Sequence, residues 1–304
     1  MSAKNPLSFM SGTVQNRELF RVVAQVDELK EKGATDSRLM KWSRGERKWY
    51  SYRLAWHATR IVCMERPEFR IVAIGPSGIV YVGNGLTNAE EHVDDSNEGP
   101  KRRGDMRDIN LVGDTVFAVG MGRQVYRRVR DGQWQHEDQG VVARRGVSTV
   151  CGFNSIHGTS ENDLVAVGFA GEIWTRRGGV WTKEGSPTNV VLHKVLVVDG
   201  GVTYACGQKG VLLSGSNSVW HEVTHNLQVD NFWGLGWFKG ELYVAADAGL
   251  YVLRGGKDLE PLDGAVLAGA TTRHLQVLDG VLLSVGSKNV LFTEDGANWN
   301  EITP

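Results

Sequence analysis

One phrase recurs along this chain, and its spacing constrains the fold more than any other feature. An apolar strand closes on a small residue; a tight turn, a second strand, a further turn and a bulky residue follow. The phrase reads VFAVGMGRQVY at Val116–Tyr126, LVAVGFAGEIW at Leu164–Trp174 and TYACGQKGVLL at Thr203–Leu213. It continues as YVAADAGLYVL at Tyr243–Leu253 and LLSVGSKNVLF at Leu282–Phe292, with a weaker early copy, IVAIGPSGIVY, at Ile71–Tyr81. The small residues that close the first strands, Gly75, Gly120, Gly168, Gly207, Ala246 and Gly286, lie 45, 48, 39, 39 and 40 residues apart.

Two further marks keep step with them. Three residues on stands Gly78, Gly171, Gly210 or Gly249, with Asn289 in the last copy and Gly122 one place early in the Gly120 copy. A two-residue hairpin connection needs positive φ, which glycine and asparagine tolerate best. Thirteen or fourteen residues past the closing residue comes Trp134, Trp181, Trp220 or Trp299, with Leu259 in the Ala246 copy. Each phrase is preceded by one more strand, and Asp199-Gly200 and Asp279-Gly280 mark hairpins there. The unit is therefore four short antiparallel strands without a helix.

Units of this kind repeated about forty residues apart specify a β-propeller, an all-β ring of four-stranded blades with the tryptophan wedged against a neighbouring blade. Six copies are readable from about residue 58. Before them, LMKWSRGERKWYSY at Leu39–Tyr52 has the form of two outer strands, ELFRVVAQV at Glu18–Val26 is strand-like, and VDELKEKGA at Val26–Ala34 suits a helical turn. The expectation is one propeller domain over residues 1–304 with seven blades, near 15–57, 58–105, 106–150, 151–190, 191–228, 229–266 and 267–304. Six blades plus an amino-terminal extension is the alternative. Residues 85–105, rich in Glu90, Glu91, Asp94, Asp95 and Glu98 and then in Lys101, Arg102 and Arg103, interrupt the second unit in place of an outer strand. They read as a solvated loop or an arm that contacts a partner.

The segment Thr293-Glu-Asp295-Gly296-Ala-Asn-Trp299 is similar to the Asp-box, or BNR, pattern of Ser/Thr-x-Asp-Gly-x-x-Trp between the third and fourth strands of some propeller blades. Arg130-Asp131-Gly132-Gln-Trp134 is a shortened version. The resemblance implies that Thr293, Asp295, Gly296 and Trp299 are structural, Asp295 closing its own turn above the indole. Sialidases share such blades, and their Phe/Tyr-Arg-Ile-Pro motif resembles Phe69-Arg70-Ile71-Val72, without the proline. The photosystem II assembly factors and their bacterial homologues resemble Val165–Trp174 more closely, and they imply a protein that binds other proteins.

Aligning the copies places Arg60, Arg107, Asn154, His193, Trp233 and Arg273 at the leading ends of successive inner strands, followed by Asp108, Lys194 and His274. Guanidinium groups gathered there would take an acidic peptide or segment of another protein, a carboxylate or a phosphate. With 34 basic and 35 acidic residues, the chain has no global field that would draw it to nucleic acid or an anionic membrane. Cys63, Cys151 and Cys206 are widely spaced within apolar runs and read as buried reduced thiols. No histidine spacing suggests a metal, no cofactor motif is present, and no catalytic residue is assigned. Without a signal peptide or membrane span, a cytoplasmic monomer is expected. The function read from these features is non-catalytic protein binding, as a scaffold, an assembly factor or an inhibitor of a partner, a class that includes immunity partners of bacterial toxins. A carbohydrate- or small-anion-binding propeller, including a sialidase-like glycoside hydrolase, is the alternative, and it needs two carboxylates at catalytic separation.

Overall fold

The computed structural model describes residues 6–144, 146, 150–227, 229–247 and 249–304. It contains seven four-stranded antiparallel sheets, each a meander in chain order, and the fold is a seven-bladed β-propeller. The blades span Leu7–Leu54, Arg60–His92, Met106–His136, Phe153–Lys183, Leu192–Glu222, Phe232–Pro261 and His274–Glu301. They group into two compact units, residues 1–61 with 232–304, and residues 62–231. The first blade is complete, and its inner strand begins at Leu7 rather than near residue 15. Its outer strands, Ser37–Ser43 and Lys48–Leu54, and the short helix Asp27–Glu31 fall where the sequence put them.

The recurring turn glycines have a common backbone cause. Ala170 and Gly171 have φ of 53° and 69°, and Lys209 and Gly210 have 57° and 66°, so each pair forms the left-handed centre of a hairpin turn. In the third blade the pair is Gly122 and Arg123, at 66° and 57°. The glycine that came one place early thus holds the first position of the same turn. Asn289 departs from expectation, because it is not left-handed. Its side-chain oxygen instead accepts bonds from the Thr271 amide (2.9 Å) and hydroxyl (3.1 Å), closing the turn from outside. The turn between the first and second strands of the fifth blade is left-handed too, at Gly200–Gly201, one residue beyond the Asp199-Gly200 signal.

The outer-strand tryptophans act as wedges. Trp181, Trp220 and Trp299 are buried, and Leu259 is buried in the same place. The Trp181 Nε1 donates to the Glu137 carbonyl of the preceding blade at 2.7 Å, and Trp134 Nε1 donates to Glu91 at 2.9 Å. In the other unit Trp49 Nε1 donates to the Ile302 carbonyl at 2.7 Å, joining the first blade to the last. That contact is reinforced by Phe9, Phe20, Met40, Leu283 and Phe292, which share one apolar cluster, and by a two-pronged ion pair from Arg44 to Glu294. The Phe9 amide donates to the Ser287 carbonyl at 3.0 Å and the Val14 amide to the Gln276 side chain at 2.8 Å.

The second blade corrects the sequence reading. Its outer strand is present at Asn88–His92, and the buried residue of that strand is the carboxylate Glu91. Glu91 accepts bonds from Arg128 Nε (3.0 Å) and Nη2 (2.6 Å), the Gly132 amide (2.8 Å) and Trp134 Nε1. Residues 93–105 are likewise tied down: Asp94 meets His136 at 3.0 Å, and Arg103 Nη1 donates to the Ala143 carbonyl at 2.8 Å. Strand periodicity could not reveal this, because NAEEH lacks apolar alternation and its ordering energy comes from the neighbouring blade.

Burial alone would raise the Glu91 pKa, but the Arg128 and backbone bonds outweigh it and hold the carboxyl below its ordinary value of 4.5. The stability this pair contributes is therefore present above about pH 4.5 and lost as pH falls through the lower folded value. Arg128→Met, which strands the buried carboxylate, is expected to cost about 3–5 kcal/mol in urea unfolding at pH 7. Adding Glu91→Leu should recover most of that loss.

Candidate functional site

In the unit of residues 62–231, the leading ends of three consecutive inner strands are joined by side chains. Arg107, exposed at the start of the third blade, donates from Nε to Asn154 Oδ1 at 3.3 Å. Asn154 is buried and donates in turn to the Leu192 carbonyl of the fifth blade at 2.8 Å, beside the half-buried His193. The Arg107 guanidinium lies 5.7 Å from the centroid of the Phe169 ring, a cation–π distance. Phe169 sits in the hairpin turn next to Ala170–Gly171, so the left-handed turn delivers the ring to the arginine.

Deeper in the same unit, Lys194 Nζ reaches from the fifth blade to Asp108 Oδ2 of the third at 3.0 Å, spanning the fourth. Asp108 is 2% exposed. His157 of the fourth blade accepts a bond from the Val197 amide at 3.2 Å. Burial, with a smaller contribution from Lys194, pushes its pKa down to about 4, against a weaker opposing pull from Asp108. The sequence placed Asp108 and Lys194 in the same tier but did not show that they neutralise each other. It also gave no signal that His157 would join them, since that depends on the inward direction of one strand.

In the unit of residues 1–61 and 232–304, Arg273 is exposed, and its guanidinium lies 5.1 Å from the Trp233 centroid. Its Nε donates to Asp247 Oδ1 at 2.8 Å. His274 is half-buried and opens the inner strand of the last blade. Arg60 is half-buried with Nη1 donating to the Thr59 carbonyl at 2.9 Å. Arginine stacked on an aromatic ring at the leading edge of a blade therefore occurs in both units. Phe169 is the partner that sequence reasoning missed.

At the Thr293–Trp299 turn, Asp295 Oδ1 accepts bonds from the amides of Ala297 (2.9 Å) and Asn298 (2.7 Å), and the Thr293 hydroxyl accepts one from Gly296 at 2.9 Å. The Asn298 side chain and these amides hold the Asp295 carboxyl far below the usual range. Cys63 and Cys206 are buried free thiols, and burial raises the pKa of Cys206, whereas Cys151 is only half-buried. Among the described residues, no helix is long and apolar enough to cross a membrane.

The architecture matches solved propellers over nearly the whole chain. The WD40 β-propeller domain of Doa1 superposes with a TM-score of 0.72 at 10% identity, covering 97% of this chain and 95% of that one. A streptogramin B lyase gives 0.70 at 10% identity, covering 99% and 95%. YCF48 bound to a D1 peptide gives 0.68 at 17% identity, covering 95% and 91%. These likenesses define the class as a β-propeller, and no family model matches the sequence. A sequence relative is more specific: the chain is 33% identical over 301 residues to the immune protein Tsi7 of Pseudomonas aeruginosa, covering 97% of both. It belongs to the family of that immune protein.

The buried imidazole gives a test of this geometry. A histidine that ionises near pH 6.5 unfolded and near 4 folded withdraws stability as pH falls between those values. The His157 ring should keep its neutral NMR shifts at pH 5.5, and His157→Gln should flatten the stability profile between pH 6.5 and about 4. A ring that titrates at its ordinary value would contradict the buried arrangement.

Proposed function

We propose that this protein acts by binding, as an immunity protein that neutralises a toxin through stoichiometric contact. The observation that carries this reading is the relationship to an immune protein at 33% identity across 97% of both chains. The leading-end residues Arg60, Arg107, Asn154, His193, Trp233, Arg273 and His274 are proposed as the contact surface for an acidic segment of that partner. Supporting this, Arg107 and Arg273 are exposed yet oriented by a ring and a polar side chain, so less rotamer freedom is lost on binding. The pairing of Asp108 with Lys194 favours binding over hydrolysis, because it engages the one carboxylate that the sequence places among the leading-end residues. The bond set at Thr293, Asp295 and Gly296 supports an Asp-box-type turn with a structural role. A cytoplasmic site of action and a monomeric state complete the proposal.

The test is titration calorimetry of the purified partner, recovered by affinity capture from the host, against the native protein and an Arg107→Ala/Arg273→Ala variant. Loss of two oriented, charge-assisted contacts should weaken binding by about 10- to 100-fold. Undiminished affinity in a variant that retains its native melting temperature would rule out this surface.

A further inference from the structure

The outer hairpin of the first blade concentrates positive charge. Residues 37–54 hold six of the 34 basic residues, Arg38, Lys41, Arg44, Arg47, Lys48 and Arg53, but only one of the 35 acidic residues, Glu46. The remaining chain thus carries 28 basic and 34 acidic residues, and the hairpin is a cationic patch on an otherwise anionic protein. Arg44 and Arg53 are engaged by Glu294 and Asp36. Among the described residues, Lys41, Arg47 and Lys48 have no carboxylate partner. Lys41 Nζ lies 4.4 Å and Lys48 Nζ 5.1 Å from the centroid of the Tyr50 ring, whose hydroxyl bonds to Glu46.

The same hairpin carries the longest outer strand among the described residues. Lys48–Leu54 has seven residues, whereas the other six outer strands have three to five. One edge of it pairs with Ser37–Ser43, and the other pairs with no strand among the described residues. Tyr50 and Tyr52 are 39% and 48% exposed along it. Short strands are how sheets ordinarily blunt an edge, and this blade does not use that device.

We propose that the outer edge of Lys48–Leu54 is a docking surface for an acidic, extended segment of a partner protein, which adds to the blade as a fifth strand. Main-chain bonds along the edge supply affinity, Tyr50 and Tyr52 supply contact area, and Lys41, Arg47 and Lys48 select for carboxylates. Pairing of two copies through this edge would set one cationic hairpin against another, so charge opposes a homodimer. A long nucleic acid would extend from three available cations onto the anionic remainder of the chain, whereas a short acidic strand would not. This surface is independent of the leading-end arginines.

The experiment is hydrogen–deuterium exchange on the full chain with synthetic peptides of about ten residues, one alternating Glu with Val and Thr and one with Lys in place of Glu, and with a short DNA duplex. The acidic peptide should slow exchange at the amides of residues 48–54 in the native protein and equally in Arg107→Ala/Arg273→Ala. Lys41→Glu/Lys48→Glu should weaken that response at least about fivefold, with Arg47→Glu/Lys48→Glu as the second variant should the first fail to fold. The proposal is overturned by unchanged exchange at these amides, by an equal response to the Lys peptide, or by stronger protection from DNA. It is also overturned if sedimentation shows a dimer that protects the same edge.

Discussion

The packing of a bulky outer-strand residue against the neighbouring blade is the interaction on which the rest of this structure depends. A four-stranded meander has two apolar faces and cannot bury either alone, so each blade is stable only against its neighbours. Trp49, Trp134 and Trp181 each fill that need twice, burying ring area and donating Nε1 to a group on the blade before. In the second blade the acceptor is a buried carboxylate rather than a carbonyl, and Arg128 had to accompany it. The wedge is thus a fixed geometric requirement met with interchangeable chemistry.

The proposed contact surface draws on the leading ends of the inner strands. In the third, fourth and fifth blades the hairpin turn between the second and third strands is a left-handed pair, and the one in the fourth blade presents Phe169 beneath Arg107. A turn selected for backbone reasons so becomes the support of an exposed arginine. Asn154 and Asp108 on the inner strands are likewise pre-oriented, each engaged by a group of a neighbouring or next-but-one blade. Such pre-organisation lowers the entropy cost of association, which suits a protein whose work is to hold another.

Much of this could be read in the chain itself, for identifiable reasons. The repeat was legible because glycine and tryptophan are used at positions where sterics leave few substitutes. The outer strands of the first blade were legible from Trp42 and Trp49 flanking a polar turn. The inner strand Leu7–Asn16 was not, since LSFMSGTVQN is held by pairing with Leu19–Val26 and by contacts to the last blade, neither visible locally. Glu91 was hidden for the same reason, because a buried carboxylate announces itself only through a partner forty residues away. At the leading ends the inner-strand residues could be aligned, but the ring under Arg107 comes from a different blade.

This propeller is proposed to act by holding a partner rather than by turning one over. That proposal is tested most directly by adding the purified protein in small increments to a fixed amount of the proposed toxin partner and following the residual toxin activity. Binding predicts a linear loss that reaches zero at one equivalent, with the mass of the partner unchanged. Complete loss at a small fraction of an equivalent, or a change in the partner's covalent mass, would contradict it.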